Sequence, residues 1–239
     1  MTNHRIEHHD GASRADHLGE ADDLLALSAH ELRGPVAAIV GFAETVRDRR
    51  GRLSEQQLDD ALDTIVRQAH RLDGLLQDIL LLAAGRAGLL QLRPVTLSLR
   101  DALLEVVADD GVDPASVTVV CDPDVQVFVD PRRLHQMVTN YLTNARIHGS
   151  APYTVEVSVG AGRVRVAVGD AGRGVAESHR SRLFERFERA GADPSVAGSG
   201  LGLAVVRTLA EASGGSASLD PGPPHRFVLQ LPVVPAPAR

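Results

Sequence analysis

The sequence predicts an α+β protein: a helical hairpin that dimerises into a four-helix bundle, followed by an α/β sandwich. Three observations predict it. Apolar positions recur at alternating steps of three and four from Leu25 to Ala83, the repeat of packed amphipathic helices. Beyond Gly85, Gly88 and Pro94 the texture changes to short Val-rich runs separated by helical stretches, as in a mixed strand-and-helix layer. Aromatics make up only 3% of the chain and Trp is absent, so aliphatic side chains supply most of the packing.

Taken in order, residues 1–20 read as a disordered tail, with scattered charge and no periodicity. His4, His8 and His9 belong to that solvated tail. A dimerisation domain over 21–84 follows. Its first helix carries Leu25, Ser28, Leu32, Pro35, Ile39, Phe42 and Val46 on one seam, and Arg47 to Arg52 with Gly51 break it. Its second helix starts near Ser54, with Gln57 three residues on as in a capping box, and holds Leu58, Leu62, Ile65, Ala69, Leu72, Leu76, Ile79 and Ala83 in the same alternation. Two helices alone enclose no dry core, so a homodimer is expected. Residues 85–94 read as a hinge. Over 95–231, strands are expected at 117–120, 125–129, 153–159 and 164–168, and helices near 99–108, 132–147 and 201–212. The Pro/Ala-rich end, 232–239, reads as loose.

Composition excludes some functions. Net charge is −6 and the pI is near 5.9, against a nucleic-acid partner, which requires a concentrated basic face. Every Lys/Arg position is Arg. Cys121 sits alone in an apolar region, which allows no internal disulfide and fits a reducing compartment as a buried, inert thiol. No run approaches the roughly 20 apolar residues of a membrane span, and the N-terminus is unlike a signal peptide. The expected location is cytoplasmic, with any membrane attachment made through a sensor region absent from this chain.

Several residues carry candidate chemistry. His30 falls between the seam residues Ser28 and Leu32, so it points away from the bundle interior. A neutral imidazole is a nucleophile near pH 7, and Glu31 beside it is able to hold or remove the proton on the other ring nitrogen. An isolated exposed His beside Glu is ordinarily decorative. Asn140 and Asn144 lie four apart on one helical face and can reach a common Mg²⁺ and phosphate group; either alone reads as a surface residue. Asp170, Gly172 and Gly174 follow a strand, where a carboxylate can accept an adenine amino group and glycines let backbone approach the base; a simple turn explains them equally well in isolation. Phe184 to Arg189 offers two apolar anchors with arginines between. Gly198, Ser199, Gly200, Leu201 and Gly202 open a helix, whose free amides and dipole favour phosphate. A Gly-x-Gly-x-x-Gly opening a βαβ unit is missing, which disfavours a dinucleotide site.

The string Ser28-Ala29-His30-Glu31-Leu32-Arg33-Gly34-Pro35 resembles the phosphoacceptor box of the histidine kinase dimerisation domain. The four later motifs, in their order, resemble the N, G1, F and G2 boxes of the Bergerat-fold (GHKL) ATPase domain shared by histidine kinases, the Hsp90 chaperone, gyrase and the MutL mismatch-repair protein. The resemblance covers about residues 20–231. It implies ATP and Mg²⁺ as cofactors, His30 as phosphoacceptor, Glu31 as general base, Asn144 with Asn140 at the metal and phosphates, and Asp170 on adenine in a pocket shaped by Gly172 and Gly174. Residues 184–200 become a lid over the phosphates, and His148, Arg186 and Arg189 are candidates for neutralising triphosphate charge. The implied activity is autophosphorylation of His30, then transfer to an aspartate of a response regulator.

Two positions depart from that family. Gly34 stands where Thr or Asn is usual, at a side chain thought to orient the water that hydrolyses the regulator's phosphoaspartate, so a weak phosphatase is expected. Ile147 stands where many members have Lys, and Arg146 is one residue early, about 100° around the helix. Two rivals follow from a different weighting: a scaffold that dimerises and docks regulators while phosphorylating poorly, and an ATPase of the same fold using water as acceptor.

Overall fold

The computed structural model describes residues 10–111, 113–188, 199–220, 222 and 224–233, with the side chains of 10–28 and 30 outside that description. The chain divides into two compact units, Met1–Ile79 and Leu80–Arg239.

The first unit holds α1 (Asp10–Arg49) and most of α2 (Glu55–Arg86), joined as a hairpin. Helix α1 begins at Asp10, so residues 10–20, expected in a tail, are helical. Once nucleated, a helix propagates readily through a stretch without proline, and the first proline of α1 is Pro35. Residues 1–9 lie outside the described residues. The turn closes on Arg49, whose carbonyl accepts from the amides of Arg52 and Leu53. The capping box at the start of α2 is reciprocal: Gln57 N–H donates to Ser54 Oγ at 3.2 Å, and Ser54 N–H donates to Gln57 Oε1 at 3.0 Å. Pro35, Ala61 and Leu75 are buried, while Val36, Val40, Phe42, Leu62, Val66 and Leu76 remain exposed in the single chain.

The unit boundary falls inside α2, ahead of the hinge expected at 85–94. Much of that segment is tied into the second unit. Gly88, at φ +66°, ends α2 in a Schellman motif, with Leu89 N–H on Ala84 O and Gly88 N–H on Gly85 O. A Cβ on Gly85 would overlap the Thr208 methyl group, so helix and neighbour touch backbone to side chain. Arg93 N–H then donates to Asp130 Oδ2 at 2.9 Å.

The second unit is a two-layer sandwich. Strands β1 (Val95–Ser98) and β3 (Gln126–Val129) pair as a small antiparallel sheet. The main sheet contains β2 (Val117–Val120), β4 (Tyr153–Gly160), β5 (Arg163–Gly169), β6 (Ser216–Asp220) and β7 (Arg226–Pro232) in the order β2-β4-β5-β7-β6. Only β2 and β4 run parallel. Alternate residues Val155, Val164, Val166, Val168, Phe227, Leu229 and Leu231 are buried under helices α3 (Leu99–Asp109), α4 (Pro131–His148) and α6 (Gly202–Ala212), with the short α5 (Glu177–Arg180) between β5 and α6. The opposite face is polar and cross-tied by Arg226 to Glu156 at 2.8 Å and Arg165 to Asp220 at 3.1 Å. The expected strands and helices of this unit all occur; β1, β6 and β7 are additional.

Asp130 joins the linker to this layer. The residue is 7% exposed, and its carboxylate accepts from the amides of Arg132, Arg133 and Arg93. It caps α4 and holds the segment after α2 at once. Asp130→Ala removes the cap and orphans a tertiary amide, for an expected loss of about 2–3 kcal/mol. Urea unfolding of the wild type and variant measures it, and a loss below about 0.5 kcal/mol would contradict this account.

Candidate nucleotide site

Helix α4 carries the asparagines, and its buried face sets how they point. Leu134, Met137, Val138, Tyr141, Leu142 and Ala145 are buried. Tyr141 donates its hydroxyl to Val228 O at 3.1 Å and stacks on Phe227 at 5.4 Å between centroids, while Phe184 meets the same Phe227 edge-on at 6.4 Å. Burial pushes the Tyr141 hydroxyl strongly toward its protonated form. With the helix so fixed, Asn140 and Asn144 lie half-buried on its flank. The two are not equivalent. Asn140 Nδ2 donates to Gly202 O at 3.1 Å, whereas the Asn144 carboxamide makes no hydrogen bond among the described residues.

Asp170 follows β5, half-buried. Gly172 N–H donates to its Oδ1 at 2.6 Å, and Ala171 N–H donates to Ser150 O at 2.8 Å. A Cβ on Gly149 would overlap the Asp170 carboxyl, and one on Gly172 would lie 2.7 Å from Gly149 Cα. The carboxylate thus sits in a seat walled by backbone. Gly174 has φ +69°, and a Cβ there would overlap the imidazole of His225.

The segment after α5 is anchored at both ends. Phe184 enters the aromatic stack, and Phe187, at φ +59°, donates its amide to Gly200 O at 2.9 Å. Gly200 has φ +68° and would clash with Phe187 backbone if it carried a Cβ. Leu201 is buried and donates its amide to Ser199 Oγ at 3.2 Å. Helix α6 has no side-chain cap among the described residues, and its ladder starts with Val205 N–H on Leu201 O. The amides of Gly202, Leu203 and Ala204 therefore precede the first helical bond.

The structure brings Asn140 to Gly202, and Asp170 to Gly172. Arg186 is half-buried and His148 is exposed at the last turn of α4. Arg189 and Gly198 lie outside the described residues. Arg146 is directed elsewhere: its guanidinium donates to Asp110 O at 3.2 Å and lies 3.5 Å from Asp110 Oδ2. Burial raises the Asp110 pKa despite Arg146 and His135 nearby. His30 and Glu31 lie on α1 of the first unit, with Glu31 half-buried. No cluster of three or more His, Cys, Asp or Glu suited to a metal occurs among the described residues, and no helix among them is long and apolar enough to cross a membrane.

Comparison with known proteins gives matches to two family models, "His Kinase A (phospho-acceptor) domain" over residues 20–88 and "Histidine kinase-, DNA gyrase B-, and HSP90-like ATPase" over 129–235. The chain belongs to the sensor histidine kinases. The sensor-type histidine kinase PrrB of Mycobacterium tuberculosis is 35% identical over 222 residues, covering 90% of this chain and 48% of that protein. The chain spans about half the length of the curated relatives it matches. Among solved structures, ShkA in complex with AMPPNP matches with a TM-score of 0.62 and 26% identity, over 91% of this chain and 47% of that one. Histidine kinase ThkA in complex with response regulator protein TrrA matches with a TM-score of 0.68 and 20% identity, over 94% and 65%, a likeness of fold.

For a sensor histidine kinase the residues at this site fit the expected ligands. The Asn144 carboxamide oxygen is a hard donor suited to Mg²⁺, and the missing side chains at Gly149, Gly172 and Gly174 leave room for the Asp170 carboxyl and the His225 ring that line this loop. His225 was not evident in the sequence, because the strand that carries its neighbour was not. Gly149→Ala drives a methyl group into the Asp170 carboxyl, so ATP affinity should fall about tenfold or more with the far-UV circular dichroism preserved. Isothermal titration at constant Mg²⁺ reads this, and undiminished affinity would refute the seat.

Proposed function

We propose that this chain is the catalytic core of a two-component kinase: ATP bound in the second unit phosphorylates His30, which passes the phosphoryl group to an aspartate of a response regulator. The observation that carries the reading is the backbone-walled seat of Asp170 on the same unit as Asn144 and the uncapped start of α6, in a chain that also bears the His30 motif. Asp170 accepts the adenine amino group between Gly172 and Gly174. The phosphates lie toward the free amides of α6, with Gly198 to Gly202, His148, Arg186 and Arg189 around them. Mg²⁺, held by Asn144, supplies charge neutralisation on the phosphates.

In the transfer, Nε2 of His30 bonds to the γ-phosphorus as the bond to the β–γ bridging oxygen breaks and ADP leaves. Glu31 takes the proton from the opposite ring nitrogen. Positioning and charge neutralisation do most of the work. A homodimer is supported by the exposed apolar positions of the helical hairpin, among them Val36, Phe42, Leu62 and Leu76, which a second copy would cover. The complex of ThkA with a response regulator supports a receiver domain as the partner.

A weaker kinase with a scaffold role has one observation in its favour: the commitment of Arg146 to Asp110 removes one cation from the set beside Ile147. Labelling separates the readings. With radiolabelled ATP and Mg²⁺, the wild type should acquire acid-labile, alkali-stable phosphate and His30→Gln none. A wild type that stays unlabelled favours the scaffold, and steady hydrolysis unchanged in His30→Gln favours a plain ATPase.

Gly34 is exposed, and a Cβ there meets nothing within 4 Å, so the site accepts a larger side chain. Gly34→Thr should accelerate loss of phosphate from the cognate regulator by about tenfold or more, with His30 labelling retained. Rapid dephosphorylation by the wild type would contradict the assignment of Gly34 as the cause of a weak phosphatase.

A further inference from the structure

His225 stands where the loop after β5 meets the start of β7. Arg226 pairs with Gly169 at the end of the antiparallel register of these strands, and Asp170 and His225 are the residues that flank that last pair. The Cδ2 and Nε2 edge of the imidazole lies against Gly174, where a Cβ would overlap it. On the other edge, Nδ1 is buried and has no hydrogen-bond partner among the described residues.

That asymmetry selects a tautomer. A neutral imidazole has one N–H and one bare acceptor, and an orphaned buried N–H is more costly and rarer than an under-satisfied acceptor. The proton belongs on Nε2, the edge beside Gly174. The flanks of one strand pair therefore hold an acceptor, the Asp170 carboxylate, and a donor, His225 Nε2–H. Adenine has the complementary order along one edge, a 6-amino donor beside the N1 acceptor. Guanine reverses it, with an acceptor at position 6 and N1–H as donor, so both groups would be opposed by like partners.

We infer that His225 is a base-reading residue: its Nε2–H donates to N1 of the adenine whose 6-amino group Asp170 accepts. The inference rests on the proposed adenine role of Asp170 and adds a second hydrogen-bonding side chain to that pocket.

The test is a cycle of protein and ligand changes on the full chain. Isothermal titration measures ATP and 1-deaza-ATP, in which N1 is replaced by C–H, against wild type, His225→Gln, His225→Leu and Asp170→Asn. Wild type should bind ATP about tenfold more tightly than 1-deaza-ATP, the worth of one such hydrogen bond. His225→Leu should bind the two alike. His225→Gln, which keeps an N–H near the Nε2 position, should restore most of the preference. Equal binding of the two nucleotides by wild type overturns the inference, and because that comparison uses the unaltered chain, no folding defect can mask it. Retention of the wild-type preference in His225→Leu overturns it too. Undiminished ATP binding by Asp170→Asn would instead sink the adenine reading itself.

Discussion

The nucleotide site depends on a steric constraint at Asp170. Its carboxylate occupies a space that the backbones of Gly149 and Gly172 leave only because neither carries a Cβ. Gly149 is the residue after α4, and its amide still donates to Ala145 O, so the end of the helix and the end of β5 are locked together through the carboxylate. The Asp170 oxygen in turn orders the loop that follows it by accepting the Gly172 amide. A charged group at a strand end thus fastens two elements, and any side chain at Gly149 or Gly172 disturbs both.

From that fastening the positions of the asparagines follow. Helix α4 is held at its C-terminal end beside Asp170, at its N-terminal end by the Asp130 cap, and along its length by the stack of Tyr141, Phe227 and Phe184. In a chain with so few aromatics, three in one stack mark where packing must be specific. The stack ties the start of the segment bearing Arg186 to the helix bearing Asn140 and Asn144. The Asn140 bond to Gly202 ties the same helix to the start of α6, so both ends of the intervening segment refer to α4.

Much of this was legible in the sequence because it is local. The capping box at Ser54 and Gln57 and the Val-rich strands are written in short-range patterns and occur, and the alternation predicted the two helices but not which positions are buried, since Ala61 and Leu75 are buried while Leu62 and Leu76 are exposed in the single chain. What was illegible is tertiary. Strand β6, Ser-Ala-Ser-Leu-Asp, has no β-branched residue, and it is a strand because β7 pairs with it. The capture of Arg93 by Asp130 spans 37 positions, so the expected hinge gave no sign of being held. Spacing placed Asn140 and Asn144 on one face without distinguishing them, since only the approach of Gly202 occupies the first. Spacing put Arg146 about 100° around the helix from Ile147, and its actual partner, Asp110, is 36 positions away in the sequence.

The question left by Ile147 and Arg146 is how the site meets the charge of a triphosphate. The fold offers a backbone answer. Three amides at the start of α6 precede its first helical bond, and no side chain caps them. The helix dipole adds roughly half a positive charge at that end, and Gly202 adds no side chain of its own there, its Cβ position lying 3.5 Å from the Asn140 carboxamide. Such donors are already oriented before the ligand arrives and lose no side-chain entropy on binding. A site that meets the phosphates first with oriented amides depends less on any one cationic side chain, and an isoleucine where a cation is usual in relatives is then compatible with transfer to His30.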